Sequence, residues 1–220
     1  IGDLPVATPP SGFSFSGWTD AEIKTTLNAI PEMVTPSTEI KKETSLYAVF
    51  SITNSNCVET DLSSVAKTDN VVIAISKDDE YYAMSQEKGS SGQPLAKELM
   101  VSNGKITSAI SDDMKWNIAY DKGDLIIYPA ADDESWLYCT SGSNNNAVRI
   151  GTNDENHVFE MKSVEIDDVV YSNYLYNKNT ERFVGAYYDD DIAIDWRAYK
   201  LTTSGAFPAN ITGQTYHFYI

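Results

Sequence analysis

The chain repeats itself three times, and a period of about 40 residues built from short apolar runs leaves few folds open. Val71-Val72-Ile73, Asp78-Asp79-Glu80 and Tyr82-Ala83-Met84-Ser85 align without a gap, 54 positions on, with Leu125-Ile126-Ile127, Asp132-Asp133-Glu134 and Trp136-Leu137-Tyr138-Cys139. A third, looser copy runs from Val169-Val170-Tyr171 to Tyr174-Leu175-Tyr176-Asn177, and Val148-Arg149-Ile150-Gly151 is answered by Arg182-Phe183-Val184-Gly185. The copies close on Trp116-Asn117-Ile118, Phe159-Glu160-Met161 and Trp196-Arg197-Ala198-Tyr199, whose leading aromatics are 43 and 37 positions apart. One supersecondary unit used three times is the expectation, and it limits where function can sit.

From Ser45 onward the runs are short, rich in Val, Ile, Tyr and Phe, and punctuated by Asp, Asn, Gly and Ser, which is all-β texture rather than βαβ units. Strands are expected at Leu46–Ile52, Leu125–Pro129, Trp136–Thr140, Ala147–Ile150 and Phe159–Met161. Four strands in each of three copies predict a β-trefoil, a closed barrel capped by hairpins, and closure removes exposed sheet edges.

The stretch from Trp116-Asn117-Ile118 through Trp136-Leu137-Tyr138, Asn144-Asn145-Asn146-Ala147-Val148-Arg149-Ile150 and Phe159-Glu160-Met161 resembles one repeat of the ricin-B-like β-trefoils. Tyr174-Leu175-Tyr176-Asn177, Arg182-Phe183 and Tyr199-Lys200 are similar to a pattern in trefoil-like domains of surface lipoproteins of Gram-negative gut anaerobes. The likeness covers roughly residues 46–201. It implies a trefoil at the cell surface. It departs from the lectin pattern where that family places Gln two residues before its closing Trp, since Met114 and Ile194 stand there.

Residues 1–45 read as a linker with Pro5, Pro9, Pro10, Gly12 and Gly17, followed by a short amphipathic helix. Its start is the capping box Thr19-Asp20-Ala21-Glu22, its apolar stripe Ile23, Leu27 and Ile30, and its stop Pro31. Residues 202–220 form a tail in which Tyr216–Ile220 is a possible extra strand, pairing with Leu46–Ile52.

Charge excludes some partners. Only 16 Lys and Arg face 32 Asp and Glu, a net charge of −16, which argues against nucleic acid and anionic membrane surfaces. No apolar run is long enough for a membrane span. The sequence opens on Ile1, so an export signal or lipid anchor is expected upstream and the setting is extracellular or cell-surface. Cys57 and Cys139 specify neither a disulfide framework nor a metal site, and read as two separate thiols. Asn210-Ile211-Thr212 has the form of a glycosylation sequon, a tripeptide that is common by chance.

Alternation within Trp136-Leu137-Tyr138-Cys139 puts Leu137 and Cys139 on one face and Trp136 and Tyr138 on the other. Trp136/Tyr138, Tyr174/Tyr176 and Tyr82/Met84 then predict three outward aromatic patches near acidic turns, with Asp132, Asp133 and Asn145 beside the second. Rings that stack on a sugar's C–H face and Asp or Asn that bond its hydroxyls make glycan the first ligand to consider. The structural alternative is that the rings seal neighbouring strands.

The doublets Asp78-Asp79, Asp112-Asp113, Asp132-Asp133 and Asp167-Asp168, and the triplet Asp189-Asp190-Asp191, read first as solvated turns. Calcium is the one ion these oxygens suggest, although no loop has EF-hand spacing, and no other cofactor is implied. His157 and His217 are the only imidazoles, and neither stands in a nucleophile motif. The leading expectation is therefore a non-catalytic binding module for a glycan. A protein-binding trefoil follows, either an adhesin piece for a host or cell-surface protein or a protease inhibitor using the Gln86–Leu95 loop. An acid-pair hydrolase comes third, and would need two carboxylates from different repeats facing one cleft.

Overall fold

A computed structural model describes residues 4–10, 13–23, 31–35, 37–38, 43–52, 57–142, 145, 147–152 and 155–220. Its strands are β1 (Phe13–Thr19), β2 (Tyr47–Ile52), β3 (Val71–Lys77), β4 (Glu80–Lys88), β5 (Pro94–Leu99), β6 (Val101–Ser102), β7 (Lys105–Ile106) and β8 (Lys115–Asp121). They continue with β9 (Asp124–Pro129), β10 (Trp136–Cys139), β11 (Val148–Gly151), β12 (Phe159–Ile166), β13 (Val169–Asn177), β14 (Arg182–Asp189), β15 (Ile192–Tyr199) and β16 (Thr215–Tyr219). The chain is all-β, with three single-turn 3₁₀ helices among the described residues. Ten strands form one antiparallel sheet in the order β16-β3-β4-β5-β15-β14-β13-β12-β9-β8, and β3 also pairs with β8, so the sheet closes on itself. β1–β2, β6–β7 and β10–β11 form separate two-stranded sheets.

The three closing aromatics meet in the core. Trp116, Phe159 and Trp196, the closing aromatics of the three copies, are all fully buried in a single cluster with Val71, Ile73, Ile75, Leu125, Ile127, Leu137 and Leu175. Each indole N–H finds a carbonyl on β4: Trp116 Nε1 donates to Met84 O at 2.9 Å and Trp196 Nε1 to Ala83 O at 3.4 Å. A buried indole needs such a partner, since an unmet donor costs more than the bond returns. The third copy departs at its start, where Val169 and Val170 lie exposed on β13 instead of joining the core.

The acidic doublets have a conformational explanation. Asp78-Asp79, Asp167-Asp168 and Asp190-Asp191 are the two-residue loops of the β3–β4, β12–β13 and β14–β15 hairpins, and all six residues have φ between 46° and 66°. Two consecutive left-handed residues make the tight turn whose twist matches the flanking strands. Among side-chain-bearing residues Asp and Asn tolerate that conformation best.

The N-terminal expectation is corrected. Residues 13–19 are not linker: Phe13 and Phe15 alternate with Ser14 and Ser16, a strand period, and β1 pairs with β2 across a bulge between Phe15 and Gly17. Gly17 has a φ of 141°, and a Cβ there would sit 2.6 Å from the Met33 methyl. Thr19 ends β1 rather than capping a helix; its Oγ1 accepts from the Ala21 amide at 3.2 Å, a local turn, and residues 20–23 are not helical. Leu27 and Ile30 lie outside the described residues.

The C-terminal pairing is also corrected. β16 pairs with β3, not with β2, matching Tyr216 to Ile75 and Phe218 to Ile73. Residues 207–211 pack Phe207 and Ile211 over Tyr174, Tyr176, Phe183 and Tyr199 in a second, largely aromatic cluster. Gly185 permits this: a Cβ there would lie 2.5 Å from Ile211 Cγ2. Cys57 and Cys139 are both free thiols, and burial pushes Cys139 up to about 12 and Cys57 up to about 11.

Candidate functional site

The three aromatic pairs matched in sequence do not share an environment. On β10, Leu137 and Cys139 are fully buried in the main core, and Trp136 and Tyr138 are half-buried on the opposite face. In the third copy Leu175 also points into the core, but Tyr174 and Tyr176 are 3% and 8% exposed beneath the 207–211 segment. Tyr174 Oη donates to Ile211 O at 2.9 Å, Phe207 lies 4.8 Å from the Tyr174 ring, and Lys162 Nζ sits 3.7 Å over the Tyr176 ring.

In the first copy the face itself is exchanged: Tyr82 and Met84 join the main core, and Ala83, also fully buried, packs on the other side of the strand with Val72, Ala74 and Leu99. The cause is the turn. The two-residue Asp78-Asp79 loop sets Tyr82 opposite Ile75, a core position, so Tyr82 must point inward. The second copy has residues 130–135 between β9 and β10, and β10 pairs with β11 instead of β9. Tyr82, Tyr174 and Tyr176 are thus not outward aromatics.

The remaining patch is built on the β10–β11 hairpin. Trp136 pairs with Gly151 and Tyr138 with Arg149 across the strands. The Trp136 ring packs on His157 at 5.0 Å between centroids, tilted by 41°. Asp132 and Asp133 are exposed on the turn before β10; the Asp132 Oδ1 accepts from the Glu134 amide at 3.0 Å. The Ser135 hydroxyl and that amide hold the Asp132 carboxyl below its ordinary range. Asn145 is exposed, with its carbonyl fixed by the amides of Ala147 and Ala198 at 2.7 and 3.0 Å. Asn144 and Asn146 lie outside the described residues.

A second feature had no signal in the sequence. A cleft of about 420 Å³ opens beside β16, lined by Glu59, Thr60, Asp61, Leu62, Ser63, Tyr120, Gly123, Met161, Asn173, Tyr216, His217 and Phe218. His217 Nδ1 lies 2.6 Å from Glu59 Oε1, and its Nε2 lies 2.8 Å from Ser76 Oγ. An ionised carboxylate only accepts, so Nδ1 carries the proton, and in the neutral ring Nε2 accepts from the serine hydroxyl. Ser76 does not line the cleft, so what this relay does there is orient Glu59. Ser76 and His217 are 141 positions apart and meet only because β16 pairs with β3.

Other expectations meet plain geometry. Half of the Gln86–Leu95 segment is strand, the ends of β4 and β5: the turn between them is tied by Gly89 and Gln93, and Gln93 is buried with its Nε2 donating to Asp195 Oδ2 at 2.6 Å. It is a short turn anchored from beneath. The cleft's two carboxylates, Glu59 and Asp61, come from one loop rather than from two repeats. Among the described residues no three His, Cys, Asp or Glu side chains are grouped as a metal site, and no helix is long and apolar enough to cross a membrane. Compared with protein-family models and with curated proteins, the chain finds no match.

Proposed function

We propose that this chain is a β-trefoil-like, non-catalytic glycan-binding module of an exported or cell-surface protein, and that its binding face is the outer side of the β10–β11 hairpin. The trefoil reading is supported by three matched hairpins, in which Met84 pairs with Ala96, Tyr138 with Arg149 and Tyr176 with Phe183. It is also supported by the three closing aromatics that meet in one core.

One observation carries the binding reading. Of the three matching aromatic pairs, only Trp136 and Tyr138 remain partly open to solvent, backed by core residues Leu137 and Cys139. They sit with Arg149, Asp132, Asp133 and Asn145 close in sequence or register. Rings offer the apolar platform and the polar groups the hydroxyl partners, a combination enriched where one side of a ligand is apolar and the other wet.

The test is a glycan array followed by calorimetric titration of any hit, with wild type, Trp136→Ala and Tyr138→Ala. Saturable binding to a neutral glycan, weakened about tenfold or more by Trp136→Ala, is expected. Absence of any hit, or a Trp136→Ala protein that binds as wild type does, overturns the reading.

A further inference from the structure

The cleft beside β16 has a composition that selects its occupant. Its apolar side is Leu62, Tyr120, Met161, Tyr216 and Phe218; its charged side is Glu59 and Asp61, with no Lys or Arg among the lining residues. A volume of about 420 Å³ lies in the range of small-molecule sites, which pair apolar walls with a few placed polar groups. We infer that this cleft is a second binding site, distinct from the β10–β11 face, for a compact ammonium-bearing ligand such as an amino sugar.

The inference rests on three observations that act together. First, Glu59 is held in place yet open. Its backbone amide donates to Gly104 O at 2.8 Å, the His217 ring N–H holds Oε1 at 2.6 Å, and the side chain is 44% exposed. His217 is fixed in turn by Ser76 and packed against the Tyr81 ring at 5.1 Å between centroids. A carboxylate whose position is set before the ligand arrives loses little freedom on binding.

Second, Tyr120 is 51% exposed and lines the same cleft as the two carboxylates. An ammonium is attracted by both, through charge pairing and through the ring quadrupole.

Third, the sign of the charge discriminates. Anionic ligands meet Glu59 and Asp61 with no Lys or Arg in the lining, within a protein of net charge −16. Like charges at a binding surface reject wrong partners.

The experiment uses Trp136→Ala protein, so that the β10–β11 face is weakened, and titrates it with glucosamine and with N-acetylglucosamine at fixed ionic strength. These share a ring and differ in the ammonium. Glucosamine is expected to saturate, and N-acetylglucosamine to bind about tenfold or more weakly. Adding Glu59→Gln should cost glucosamine about tenfold, and Tyr120→Ala should weaken it less. Asp190→Asn, which removes an exposed turn carboxylate elsewhere, should change it less than about twofold. Equal affinity for the two sugars, no saturation with glucosamine, or an Asp190→Asn loss as large as that of Glu59→Gln would each sink the inference. Because these outcomes turn on Glu59 and Tyr120, which lie on neither β10 nor β11, they are separate from the fate of the reading above.

Discussion

Gln214 completes the sheet for Ala186: its Nε2 donates to Ala186 O at 2.7 Å, and the Ala186 amide donates to its Oε1 at 3.0 Å. A side-chain amide thus exchanges the pair of bonds that a neighbouring strand would supply. All four groups are buried. Gln214→Ala leaves the Ala186 amide and carbonyl unmet, at about 1–3 kcal/mol for each group. A loss of about 2–4 kcal/mol in urea-unfolding stability is expected, with an unchanged far-ultraviolet spectrum in water.

The left-handed aspartates carry a conformational cost that glycine would not. At Asp79, Asp168 and Asp191, φ is 66°, 61° and 65°. Replacing each with Gly removes the Cβ clash and one of two adjacent like charges, and should stabilise the fold by about 0.5–1 kcal/mol per site. The sites lie in different hairpins, so the triple variant should gain close to the sum. Melting temperatures of the single and triple variants measure this directly.

Asp113 makes stability depend on acid. Its carboxyl accepts from Ser85 Oγ at 2.7 Å and pairs with Lys97 Nζ at 2.9 Å, and Lys97 also pairs with Glu87 at 2.8 Å. Burial works to raise its pKa, but these donors outweigh burial and hold it below the ordinary 3.8. A depressed folded pKa means the unfolded chain takes up the proton first. The contribution is therefore complete above the ordinary value and fades as pH falls through it toward the folded one. Asp113→Asn should be less stable than wild type at pH 7, and the gap should narrow between about pH 5 and pH 3. A gap of constant size across that window would mean the carboxylate contributes only shape.

Much of the fold was legible because its signals are local. β9, β10 and β11 fall within about a residue of the runs read from apolar alternation, and Leu137 with Cys139 is the buried face that a period of two requires. Asp78-Asp79, Asp167-Asp168 and Asp190-Asp191 are turns as read, since a two-residue hairpin loop answers only to its own φ angles, whereas Asp112-Asp113 falls in a 3₁₀ helix where Asp113 pairs with Lys97. The N-terminal strand was misread because proline and glycine around it outweighed the Phe13/Phe15 alternation. A pairing partner in β2, thirty-odd positions away, decided the matter.

The aromatic patches and the cleft mark the boundary between what residue order determines and what packing decides. Order alone set the all-β class, the threefold echo and the three aspartate hairpin loops, because these depend on neighbours within a few positions. It could not say that Tyr82 and Met84 would enter the main core, since that follows from Tyr82 facing Ile75 across the ladder. Nor could it say that Phe207 and Ile211 would cover Tyr174, or that Ser76, His217 and Glu59 would meet. Those contacts join segments far apart in the chain. Burial, and with it the choice between a ring that packs and a ring that binds, is a property of what comes to lie on top.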